Sequence, residues 1–143
     1  MAFSGNFMCT SFKQELMQAE HDFDNGAHTF RIALYTDSAS FTAATEAYTT
    51  SNEITGTNYV AKGNALTNVN PTTSGTTAFT DFADSSWTTA TFSAMGAMIF
   101  NDSHADDASV IILDFGALKT VTGGTFTITF PAADASNAII RIA

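Results

Sequence analysis

Positive charge is what this sequence has least of. Three Lys and two Arg face fourteen Asp and Glu across 143 residues, a net charge of −9. Affinity for nucleic acid rests on cationic contacts to phosphates, so DNA and RNA are excluded as expected partners. An anionic membrane surface is excluded on the same ground. Cysteine is nearly absent too: Cys9 stands alone, which rules out an internal disulfide. No apolar run approaches the roughly 20 residues that span a bilayer. The opening Met1-Ala2-Phe3-Ser4-Gly5 lacks the basic and apolar regions of a signal peptide. The expectation is a chain made in the cytosol that stays soluble.

What is present is apolar and β-branched. The composition is 45% hydrophobic and 12% aromatic, which is globular rather than disordered. Thr, with Ser and Asn behind it, supplies most of the polarity. Thr prefers a pleated surface to a helix. A chain of this length is one domain by the usual prior, and no repeat, linker or charge block divides 1–143.

One helix is predicted, over 11–23. Phe12, Leu16, Ala19 and Phe23 share a face, and Ser11 with Gln14 reads as a capping box. Ahead of it, 1–10 carries Phe3, Phe7 and Met8 without periodicity, so an arm that orders on binding is expected. The rest reads as strands and loops. His28–Thr36 alternates, with Phe30, Ile32 and Leu34 on one face. Segment 38–50 is ambiguous between a helical turn and a loop covering a sheet edge, and 51–63 reads as loop. Ala65–Asn70 and Thr76–Ala83 read as strands separated by a breaker at Pro71–Gly75. Trp87–Ala94 and Met95–Phe100 follow, with a bend at Gly96. Ser109–Phe115 is apolar enough for a strand buried on both faces. Gly123-Gly124 suits a type I′ hairpin turn before the alternating strand Thr125–Phe130. Ala138–Ala143 is a last strand that must dock. About eight short strands at this spacing predict a mainly β fold, a β-sandwich or jelly-roll of antiparallel sheets, with one N-terminal amphipathic helix.

Chemistry is hard to find. No G-x-S-x-G elbow occurs, and His21, His28 and His104 read as solvated or capping residues. Cys9 precedes the helix, but packing explains it as well as reactivity does. Asp81, Asp84 and Asp114 show no pairing that a glycosidase would need. Gly123-Gly124 has no helix or Lys after it to make a phosphate loop. Asn101–Asp107 gathers three carboxylates, and Asp102, Asp106 and Asp107 would be the ligands if a cation bound there. The spacing fits no EF-hand, and a solvated turn accounts for the same residues. No catalytic residue, cofactor or metal is therefore expected. Trp87 reads as a core or interface anchor rather than a sugar platform.

Several stretches in order resemble small proteins encoded among the structural genes of tailed bacteriophages. They are Ser11-Phe12-Lys13-Gln14-Glu15-Leu16 with His21 and Phe23, Thr29–Thr36, Phe79–Asp84 with Trp87, and Gly124–Pro131 with Ala132–Arg141. The family's helix often carries Gly before its His, where this chain has Glu20. The resemblance implies a non-enzymatic virion component, foremost a capsid decoration or cement protein that binds an assembled shell. A neck, tail or fibre component is the alternative, including a carbohydrate-binding adhesin that would expose Trp87 or Tyr59. The implied partners are the chain itself, as a homotrimer, and the major capsid protein or another virion protein. Phe3, Phe7, Met8, Phe12, Leu16 and Trp87 are the expected contact residues.

Overall fold

The computed structural model describes residues 3–143. Strands hold 48% of the chain and helix 6%, arranged as two antiparallel sheets in a β-sandwich-like fold, as the alternation predicts. The elements in chain order are β1 (Phe7–Met8), α1 (Thr10–Met17), β2 (Phe30–Tyr35), β3 (Asn64–Ala65), β4 (Asn68–Ser74), β5 (Thr77–Phe82), β6 (Ser85–Asn101), β7 (Ser109–Ile128) and β8 (Ile140–Ile142). The larger sheet runs β1-β7-β6-β2-β3 and the smaller β4-β5-β8.

The centre of the large sheet is the β6–β7 hairpin. Its second half of β6, Ala94–Asn101, is buried throughout, matching the apolar run of that segment. β2 lies against it from Phe30↔Asn101 to Tyr35↔Gly96. Where β6 and β7 continue past this block, the buried side alternates with an outward face of Ser and Thr. Ser86 and Thr127 share a hydroxyl bond of 2.8 Å there, and Ser93 and Thr120 another of 2.8 Å. Phe30, Phe23 and Phe82 join the two sheets, the first two stacked at 4.4 Å between centroids. Segment 38–63 is loop, tied to the sheet by the bridges Tyr35↔Glu53, Ala47↔Ala108 and Thr57↔Thr91. Glu53 anchors it by accepting from the hydroxyls of Tyr48 and Tyr59.

Five expectations change. The helix is Thr10–Met17, not 11–23, and no side chain caps it. Ala19 takes φ +61 and the Glu20 N–H turns back to Glu15 O at 3.0 Å, so the helix stops and extended chain delivers Phe23 to the core. The 1–10 arm is folded onto the sheet: β1 pairs Phe7 with Ile112 and Met8 with Ile111, and Phe3 is 1% exposed. Met1 and Ala2 of that arm lie outside the described residues. Gly123-Gly124 is no hairpin turn, because β7 continues to pair through Phe126 and Ile128. Gly123, at φ +58, sits in a register shift and donates its N–H to Thr91 Oγ1. Pro71 does not break its segment; it lies in β4, an edge strand, where the register shifts between Val69 and Thr72. At Gly96 the strand also stays intact across a register shift. A Cβ there would meet the Phe3 ring and Leu113 O.

Candidate functional site

The acidic loop forms the β6–β7 turn, and its carboxylates do not converge on a cation. Lys62 Nζ reaches Asp102 and Asp107 at 2.8 Å each, filling the space between them. Bonds from those two carboxylates hold the Lys62 ammonium above its usual pKa. Asp106 is exposed and offers only its N–H, to His104 Nδ1 at 3.2 Å.

The expected contact residues divide into two groups. Phe3, Phe12 and Trp87 are 1%, 0% and 4% exposed, so they are core and not docking surface. Trp87 stacks on Tyr59, whose hydroxyl is held by Glu53 and Leu34 N–H, and neither ring is free to line a sugar groove. Phe7, Met8 and Leu16 are half-buried. Cys9 is fully buried, and burial pushes its thiol pKa up, away from reactivity. Asp81 is buried with its carboxylate accepting from Phe82 N–H and Ile139 N–H, which ties the C-terminal segment to β5. Asp84 accepts Phe130 N–H and Asp114 accepts Gly5 N–H, both structural roles.

Of the two roles expected for the histidines, solvated or capping, His28 and His104 take the second, accepting the N–H of Asp22 and of Asp106 on Nδ1 at 3.2 Å each, while His21 is buried. Asn101, with no exposed surface, closes β6 and donates its amide N–H groups to His21 Nδ1 and His28 Nδ1, each at 3.0 Å. Its Oδ1 accepts Ser103 N–H, which fixes the amide orientation. His21 Nδ1 is thus an acceptor, and its proton sits on Nε2, donated to Glu15 Oε2 at 2.8 Å. Burial lowers the His21 pKa, outweighing the Glu15 bond that raises it. Beside this pair, His104 stacks on His21 at 5.9 Å and donates Nε2–H to Glu20 Oε2 at 2.9 Å. Helix α1, its left-handed turn at Ala19 and the β6–β7 turn therefore meet in one polar cluster.

A trough lies along β7. Phe7, Met8, Ile111, Leu113, Ile128 and Ile139 line one stretch, and Phe115 and Phe126 continue it. Both stretches share Asn6, Leu113, Ile128 and Thr129, so the trough is continuous. Apart from Ile111, these apolar side chains are only half-buried. Lys119 stands in one stretch and Arg141 in the other, and neither makes an ion pair among the described residues. The alternation of β7 marks an apolar face, but only the fold shows that it stays half-exposed among the described residues. No helix among the described residues is long and apolar enough to cross a membrane. No protein-family model matches this chain, nor does any curated protein or solved structure compared with it.

Proposed function

We propose that the chain is a non-catalytic structural subunit of a tailed-bacteriophage particle, of the kind that decorates or cements an assembled shell. The observation that carries this reading is the trough along β7: half-exposed apolar side chains flanked by two of the five cations of a chain with net charge −9. Its occupant is a second copy of this chain, whose acidic surface complements Lys119 and Arg141. A groove that receives a different surface of the next copy is a heterologous contact, and such contacts close into a ring where the rotation between copies allows it. A homotrimer is the ring that matches local three-fold positions on a capsid. The Ser/Thr face of β6 and β7 then supplies an uncharged, hydrated exterior. The sequence resemblance to phage structural proteins supplies the particle; the trough supplies the means of assembly.

The test is a quantitative protein profile of purified virions, together with the mass of the purified protein in solution. Copies in proportion to capsid subunits are expected, and a trimer in solution. A few copies per particle would move the protein to the neck, tail or fibre. Its absence from particles would refute the proposal.

A further inference from the structure

We propose that Glu15, Glu20 and His104 form a binding site for a divalent transition-metal ion of the zinc type. One ligand atom from each lies within 4.8 Å of the other two, at the end of α1 and the tip of the β6–β7 turn. The acidic loop around Asp102 and Asp107 is occupied by Lys62; this neighbouring cluster has no Lys or Arg in ion-pair contact among the described residues. Its carboxylates meet only imidazoles. Glu46 and Asp106 stand on the wall of the same cleft, so negative charge gathers there uncompensated. Ser11 lines that cleft as well, and its Oγ is sealed from solvent without a hydrogen-bond partner.

The donor set selects the ion. One imidazole nitrogen and two carboxylates are too few oxygens for Ca²⁺, which takes about six to eight. Imidazole with carboxylate suits Zn²⁺, and three protein ligands leave a fourth position for water. Ligand atoms around tetrahedral Zn²⁺ sit roughly 3.3 Å apart, given metal bonds of about 2.0–2.1 Å. Closing from the present spacing falls to Glu20, whose side chain is 41% accessible and free to rotate. Glu15 is held in place from behind by His21 Nε2–H. Binding at His104 Nε2 releases the proton that Nε2 now donates to Glu20, and Nδ1 takes one up from solvent, so the ring stays neutral in its other tautomer. The bond that Asp106 N–H now makes to Nδ1, at 3.2 Å, is given up in exchange.

The experiment uses the full chain, stripped with EDTA and dialysed, titrated with ZnCl₂ by calorimetry and melted with and without the ion. One Zn²⁺ per chain and a raised Tm are expected, with no shift from Mg²⁺ or Ca²⁺. Glu20→Gln and His104→Gln, on the surface and outside the core, should fold as the parent does by circular dichroism. Each should weaken Zn²⁺ by more than the roughly 10–100-fold that losing an outer-shell partner costs. Asp102→Asn should leave the affinity unchanged. Absence of saturable Zn²⁺ binding would overturn the proposal, and so would binding undiminished in both variants. Neither result bears on assembly through the β7 trough, which shares no lining residue with this cleft.

Discussion

Asn101 carries more of the polar interior than its size suggests. One amide nitrogen serves two imidazole acceptors, and both must be neutral to accept. His21 holds its folded pKa below the unfolded value of 6.5. The unfolded chain therefore takes up a proton first as pH falls. The contribution of His21 to stability is complete above about pH 6.5 and declines below it, toward the lowered folded value. Urea midpoints should fall between pH 7.5 and 5.5, and a flat profile would contradict the assigned proton positions. Asn101→Ala should cost about 2–4 kcal/mol at pH 7.5, since it strands buried groups. Chemical denaturation reads that loss directly. Gly96 makes a steric prediction at the same scale. Gly96→Ala places a methyl against Phe3 and Leu113 O, between backbone and a buried ring. About 1–3 kcal/mol of destabilisation is expected from overpacking, and Phe3→Ala in the same chain should relieve part of it in a double-mutant cycle.

Among elements, β8 is the shortest with a clear energetic role. Ile140 is 4% exposed, and the Ile139 N–H is the second partner of buried Asp81. Deleting 138–143 should cost about 3–5 kcal/mol, the range of large core truncations, and a thermal melt unchanged by the deletion would show β8 to be dispensable. The element scale is also where sequence reading succeeded and failed. Strand periodicity was legible in Phe30–Tyr35, which is buried on both faces except at Arg31, and in Phe126–Ile128, where half-buried side chains alternate with an exposed Thr. The end of α1 was not, because the apolar spacing of Phe12, Leu16 and Phe23 persists beyond the helix while the backbone leaves it at Ala19. A left-handed Ala has no signature in composition. Gly123-Gly124 misled for the opposite reason: glycine marks positive φ, and a bulge uses that freedom as readily as a turn does. The polar cluster was invisible, since His21 meets Asn101 and Glu20 meets His104 across 80 and 84 positions of the chain. The Lys62 bridge across Asp102 and Asp107 joins loops 40 residues apart and had no local signal either.

For the whole molecule, charge and apolar surface are placed unequally. The chain has pI about 4.3, yet the β7 trough holds Lys119 and Arg141. Lys119→Glu with Arg141→Glu should convert an oligomer to monomer at low ionic strength without lowering Tm by more than about 1 kcal/mol equivalent, as surface charges usually do. Sedimentation at low and high salt would check both halves of that statement. The N-terminal segment has a consequence for timing. Gly5 bonds to Asp114 across 109 positions of sequence, and β1 pairs with the strand beyond the β6–β7 turn. A ribosome must therefore release most of the chain before Phe3 and Phe7 find their places. Until then these aromatics travel uncovered, and the β6–β7 hairpin, whose partners are close in sequence, is the part ready to receive them. This first segment is therefore a seam that cannot seal until β7 has been made.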